Sequence, residues 1–261
     1  MRLAIPTSRS KMQFYINQAY VEYVLEAGYD PILINDRNDA IQMANMCDGL
    51  VLPGGIDIDP VFYGESNYSS YGVEPEKDDF ERRLFYAFTS QHKPIFGICR
   101  GAQLIAREYL HNNPEAGVRL YFSQHINDHS LSKDLNVRRD IPTHEIRADR
   151  NSLYGELHTQ YQAMFVNSMH HQCLCLLPEG KKGKKATGYV NPIVENLRVL
   201  AFTSYGLSKK DEGLVVEAFN VEGWFQSNIL AVQWHPEELK DYGLLTNFFG
   251  GVNEEAVEEV V

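Results

Sequence analysis

The sequence predicts an α/β fold: a mostly parallel central sheet between two layers of helices, with additional antiparallel strands. Two observations carry this. Short apolar runs alternate with stretches of helical spacing through the first 110 residues, which implies a parallel sheet covered on both faces. Beyond residue 145 the pattern changes to short extended runs, which read as further strands added to the same sheet. No internal repeat or low-complexity linker divides the chain, so residues 1–250 are expected to form one domain, followed by an acidic tail, 251–261, expected to fray.

Leu3-Ala4-Ile5 is the first strand candidate. Gln13 to Ala27 carries Ile16, Ala19, Tyr20, Tyr23, Val24 and Ala27 at helical spacing, and Gly28 ends it. Pro31 to Ile34 is the second strand and Asp39 to Cys47 a short helix. Gly49 to Leu52 is the third strand, stopped by Pro53-Gly54-Gly55. Asp78 to Gln91 is helical, Ile95 to Ile98 is the fourth strand, and Ala102 to Leu110 is a helix. The later runs are Met164 to Val166, Leu197 to Thr203, Gly213 to Phe219 and Ile229 to Trp234; Tyr242 to Phe249 is a closing helix.

A net charge of −11 argues against nucleic acid as a partner, because phosphates would be repelled. The local exception, Lys181-Lys182-Gly183-Lys184-Lys185, reads as a solvated loop or a contact for an acidic partner. No apolar run approaches membrane-spanning length, and Pro6 breaks the first run too early for a secretory signal. The four cysteines, Cys47, Cys99, Cys173 and Cys175, have neither zinc-knuckle nor Cys-x-x-C spacing. These features suit a reducing cytoplasm.

The chemistry centres on Gly97-Ile98-Cys99-Arg100-Gly101, where a strand turns into a helix with a glycine on each side of one reactive residue. That is the form of a nucleophile elbow. A thiol there meets unpaired N–H groups and the positive end of the helix dipole, which favours the thiolate. Read alone, the pentapeptide is equally a buried structural cysteine at a tight turn. A thiolate nucleophile needs a base and a group to orient it. His235 follows a strong strand, and Pro236-Glu237 follows His235; in an extended segment His235 and Glu237 share one side. Read alone, His235 is also an ordinary strand-end histidine. Leu52-Pro53-Gly54-Gly55 exposes backbone N–H groups just after a strand, either as a simple turn or as oxyanion donors. In the second reading the donors are the N–H groups of Gly55 and Arg100.

Together, the runs 52–60 (with Tyr63-Gly64-Glu65), 96–103, 166–172 and 232–237 resemble the class I glutamine amidotransferase-like family, and within it the γ-glutamyl hydrolases of the peptidase C26 branch, γ-glutamyl-γ-aminobutyrate hydrolases among them. The resemblance spans residues 1–250. It implies a flavodoxin-like three-layer α/β/α sandwich with Cys99 as nucleophile, His235 as base and then acid, and Glu237 as the orienting carboxylate. It further implies Gln103 as a holder of the γ-glutamyl head group, Gly54 as a substrate contact, and His170 and His171 as substrate contacts or packing residues, with no metal or organic cofactor. The implied activity is hydrolysis of a γ-glutamyl amine or glutamine-like amide through a γ-glutamyl thioester. A glutaminase subunit feeding ammonia to a separate synthase is the alternative, and an inactive binding protein the third reading. The aromatic-rich loop 62–71 is a candidate dimer contact or pocket cover.

The resemblance lapses after the elbow. Relatives carry an Asn and a Gly-Gly-Thr-Leu turn where this chain runs from Leu104 to Gly117, and 121–140 is polar and His-rich. His125 and His129 have i, i+4 spacing, but the region is not clearly helical, so no metal site is assigned to them.

Overall fold

A computed structural model describes residues 1–63, 66–67, 70, 72–113, 118–121, 138–157, 161–176, 193–194, 196–204, 214–223 and 228–258. His125, His129, the lysine cluster 181–185, most of 121–140 and half of the aromatic loop (Gly64, Glu65, Tyr68, Ser69, Tyr71) lie outside these residues.

The described elements, in chain order, begin with β1 (Arg2–Pro6), a small hairpin of β2 (Ser8–Arg9) and β3 (Phe14–Tyr15), α1 (Gln18–Glu26), β4 (Asp30–Ile34), α2 (Ala40–Met46), β5 (Gly49–Leu52), α3 (Pro75–Thr89), β6 (Ile95–Ile98) and α4 (Arg100–Asn112). There follow β7 (Val118–Tyr121), β8 (His144–Ala148), α5 (Arg150–Tyr154), β9 (Gln162–Val166), β10 (Cys173–Leu176), β11 (Ile193–Val194), β12 (Leu197–Thr203), β13 (Leu214–Val221), β14 (Ile229–Val232), α6 (Pro236–Leu239) and α7 (Tyr242–Glu258). Twelve strands join one sheet along the order β4-β1-β5-β6-β14-β13-β12-β8-β9, with β10, β7 and β11 attached to its antiparallel half. The pairs β4–β1, β1–β5, β5–β6 and β6–β14 are parallel. From β14 onward every pairing along this order is antiparallel.

Alternate residues of the parallel strands serve two cores, as the period-2 geometry of a strand requires. Ala4, Leu50, Leu52, Ile95, Ile229 and Ala231 pack with α2, α3 and α4 on one face. Leu3, Ile5, Val51, Phe96, Ile98, Leu230 and Val232 pack with α1, α5 and α7 on the other. The α/β/α sandwich is therefore as expected. Among the described residues, no helix is long and apolar enough to cross a membrane.

Several local expectations are corrected. The first helix starts at Gln18, not Gln13, because Asn17 caps it by accepting the Ala19 N–H at 3.1 Å, and the residues before it form the hairpin. The third helix starts at Pro75, which needs no N–H partner at the first helical position. The fourth begins at Arg100, directly after Cys99. The closing helix spans Tyr242–Glu258, longer than the expected Tyr242 to Phe249.

Candidate active site

From β1 the chain moves outward to β4, then returns across β1 to β5. This reversal leaves a crevice beyond the strands' carboxyl ends, where open α/β sheets place their sites. A cavity of about 350 Å³ lies there. Pro6, Pro53, Gly54, Gly55, Cys99 and His235, from the ends of β1, β5, β6 and β14, line it together with Tyr20, Asp57, Lys77, Arg139 and Met169. Its volume lies in the range that takes a small ligand.

Cys99 has φ 51° and ψ −105°, left-handed backbone that a non-glycine residue rarely adopts. Such strain costs about 1–3 kcal/mol and must be held by its surroundings. Here the Cys99 N–H donates to Val232 O at 2.8 Å, and Cys99 O accepts the Gln103 N–H at 3.1 Å. The flanking glycines have separate reasons. A Cβ on Gly101 would lie 2.2 Å from Leu52 O, which forbids any side chain at the β5–α4 crossing. A Cβ on Gly97 would lie 2.5 Å from Ile105 Cδ1 and 3.0 Å from Ala102 N, so α4 sits against bare backbone. The strand-turn-helix of the elbow is present, with the thiol at the N-terminus of a 13-residue helix.

His235 and Glu237 meet in a different way from that expected. Pro236 opens a short helix, and Glu237 stands in its first turn, so the pair is not on one side of an extended segment. His235 Nδ1 still lies 2.6 Å from Glu237 Oε1. Both side chains are buried. Burial opposes a charge on His235, but the Glu237 carboxylate, then Cys99, outweigh it and push its pKa up to about 10. A side-chain hydrogen bond to Cys99 contributes to that shift. With Nδ1 committed to Glu237, Nε2 is the nitrogen left for the thiol.

Two residues that sequence reasoning passed over complete this arrangement. Asn167 clamps the His235 backbone from both sides: Oδ1 accepts the His235 N–H at 3.0 Å, and Nδ2 donates to His235 O at 3.0 Å. Tyr20 Oη accepts the Gly54 N–H at 2.9 Å and lies 3.4 Å from His235 Nδ1. Burial, then the charges of Glu237 and Cys99, hold the Tyr20 phenol well above its ordinary pKa, so it stays protonated. The run Val166 to Gln172 pointed to the neighbourhood of Asn167. Nothing in the sequence separated Tyr20 from the apolar stripe of its helix.

The other expected contacts divide. Gly54 and Gly55 line the cavity, and the Gly54 N–H is taken by Tyr20. Gln103, His170 and His171 are not among the residues that line it. Gln103 turns into the protein, donating to Gln172 O at 2.9 Å and Gln233 Oε1 at 3.3 Å. His170 Nδ1 lies 3.0 Å from Gln172 O. His171 Nε2 lies 2.8 Å from Oδ2 of Asp57, a residue that does line the cavity. The Arg100 side chain points away from the cavity into a buried ion cluster. Cys47 and Cys173 are buried thiols, in no disulfide, away from the cavity. No group of three or more His, Cys, Asp or Glu among the described residues is placed to hold a metal ion.

The sequence pattern of the peptidase C26 family matches residues 6–237. The chain is 31% identical to the glutamine amidotransferase-like protein YvdE of Lactococcus lactis subsp. lactis over 229 residues, covering 85% of this chain and 80% of that one. It is 28% identical to γ-glutamyl-γ-aminobutyrate hydrolase of Escherichia coli O157:H7 over 243 residues, covering 90% and 84%. In fold it resembles a protein described as a GMP synthase subunit from Thermoplasma acidophilum, at TM-score 0.57 and 17% identity over 99% of this chain and 98% of that one. The glutaminase domain of Trypanosoma brucei CTPS gives TM-score 0.54 at 14% identity over 97% and 94%. The match runs from the end of β1 through the elbow to Glu237, across both the parallel half and its antiparallel extension, and makes this chain a member of the peptidase C26 family.

Proposed function

We propose that this chain, an amide hydrolase of the class I glutamine amidotransferase kind, cleaves the γ-glutamyl amide bond of a small γ-glutamyl amine through a thioester on Cys99. One observation carries the reading: a thiol in strained backbone at a helix N-terminus, beside an imidazole whose other nitrogen is held 2.6 Å from a buried carboxylate. A cysteine kept only for packing has no need of any of these.

In the reaction, the Cys99 thiol gives its proton to His235 Nε2 and Sγ attacks the side-chain carbonyl carbon. The carbonyl oxygen takes up the electron pair and is met by the N–H groups of Gly55 and Arg100. The tetrahedral carbon then expels the amine, which takes its proton from His235 Nε2, and a γ-glutamyl thioester remains. His235, now neutral, accepts a proton from water as the water attacks the thioester. Glutamate leaves and the thiol is restored. Glu237 holds the imidazole in the tautomer both steps need, and general acid–base transfer of this kind contributes about 10²–10⁴-fold. Oxyanion donors supply a further large share, each about 10²–10³-fold.

The test is incubation of the purified chain with a panel of γ-glutamyl amines and glutamine, reading glutamate release. Turnover of at least one γ-glutamyl amine by the chain alone, with no partner added, is the expected result. Turnover of glutamine only on addition of a synthase would favour the ammonia-delivering alternative instead.

A further inference from the structure

Directly behind the elbow lies a fully buried cluster of four charges, two of each sign. The Arg100 guanidinium bonds Asp78 and Glu81, and Lys77 Nζ lies 2.6 Å from Glu81 Oε1. All four side chains are at most 4% exposed. Buried ion pairs contribute little net stability against an apolar replacement, so their retention needs another reason. The second oxygen of Asp78 supplies one: Oδ2 accepts the Asp59 N–H at 2.9 Å. Asp59 belongs to the loop that carries Gly54 and Gly55. A Cβ on Gly55 would lie 3.4 Å from Arg100 Cδ and 3.9 Å from Lys77 Cε, so the same cluster also supports that loop from beneath.

We propose that Asp78 and Glu81 of α3 are positioning residues for the oxyanion hole, fixing the loop that carries the Gly55 N–H and the helix start that carries the Arg100 N–H at one separation. Asp78 joins the two segments with one carboxylate, because Oδ1 holds Arg100 and Oδ2 holds the loop. Glu81 holds the opposite side of the guanidinium and is itself held by Lys77. Burial opposes the charge on Glu81, but Arg100 and Lys77 outweigh it and lower its pKa, which keeps it ionised at neutral pH. The inference rests on the reading that these two N–H groups receive the oxyanion.

Asp78→Asn is the informative variant. An asparagine has one acceptor oxygen, so its amide nitrogen faces either Arg100 or the Asp59 N–H, and one of the two holds is lost. Glu81→Gln, and the charge-balanced pair Lys77→Gln with Glu81→Gln, serve if Asp78→Asn does not fold, with folding checked by urea unfolding. Three quantities are compared with wild type: glutamate release, affinity for the γ-aldehyde analogue of glutamate, and the rate at which iodoacetamide alkylates Cys99. The aldehyde adds the thiol across its C=O to give a hemithioacetal whose oxygen enters the hole; alkylation forms no oxyanion. The expected result is a fall in kcat of about 10- to 100-fold with KM changed less than about threefold, the range set by displaced donors. Aldehyde affinity falls in step with kcat, and the alkylation rate is unchanged. Folded variants with undiminished kcat overturn the inference, as do variants whose alkylation rate falls as far as kcat. A wild type that releases no glutamate from any γ-glutamyl compound overturns the reaction it rests on.

Discussion

Gly54→Ala isolates the geometry of the site from the backbone that supports it. Gly54 does not have positive φ, so alanine meets no conformational penalty of that kind. Space alone decides the outcome. The added Cβ would lie 2.5 Å from Tyr20 Oη, 2.9 Å from His235 Cε1 and 3.4 Å from Cys99 Cβ. Restoring an ordinary 3.4 Å contact moves the imidazole by about 0.5 Å and the phenol by about 0.9 Å, on a scale where 1 Å of misplacement costs about 100-fold. The expected fall in kcat is therefore about 10- to 100-fold, with overpacking reducing stability by about 1–3 kcal/mol. At Gly55 the nearest atoms to an added Cβ are the flexible Arg100 Cδ at 3.4 Å and Lys77 Cε at 3.9 Å, so Gly55→Ala should keep most of its activity. The assay is glutamate release at saturating substrate for both variants, with urea midpoints alongside. Equal kcat for Gly54→Ala and wild type, or a larger loss at Gly55 than at Gly54, would show that crowding at the imidazole does not govern the rate.

Cys99→Gly should abolish turnover yet raise stability by about 1 kcal/mol, because glycine adopts the left-handed angles without strain; a lower urea midpoint than wild type would count against strain at the elbow. Iodoacetamide at neutral pH should modify Cys99, which lines the cavity, before Cys47, Cys173 or Cys175, as peptide mapping would show; faster labelling elsewhere argues against Cys99 as the nucleophile. His235 has a folded pKa raised above its unfolded value, so its contribution to stability is complete below about pH 6.5 and is lost as pH rises toward about 10. Urea midpoints of wild type should fall across that window more steeply than those of His235→Gln; parallel curves would contradict the assigned pairing. Tyr20→Phe removes the acceptor of the Gly54 N–H and should lower kcat more than it raises KM, measured by the same glutamate assay.

The parallel half of the fold was legible because its strands are continuous apolar runs, and β1, β5, β6 and β14 each serve both cores. The antiparallel half was harder to read, since strands such as β10 are short and take their partners, β7 and β13, from distant parts of the chain. Cys99, His235 and Glu237 were legible from glycine and proline punctuation, but the geometry joining His235 to Glu237 was not: Pro236 can end an extended segment or open a helix, and tertiary packing decides. Tyr20 shares the apolar spacing of Tyr23 and Val24, so its hydroxyl contact carried no local signal. The charge cluster did leave a trace. Lys77 and Glu81 fall on the same helical stripe as Leu84 and Phe88, and charges on an otherwise buried face need partners. The position of Gln103 after the elbow does not reveal which side of α4 it faces, so its bonds to Gln172 and Gln233 carried no local signal.

Covalent capture of the substrate by Cys99 is the step on which the whole mechanism rests, and rapid-quench mass spectrometry during turnover of a γ-glutamyl amine observes it. One γ-glutamyl group is expected on Cys99 at early times, and it should be absent from Cys99→Ala along with all glutamate release. Glutamate released by the alanine variant, or an acyl group found on any other residue, would contradict this mechanism.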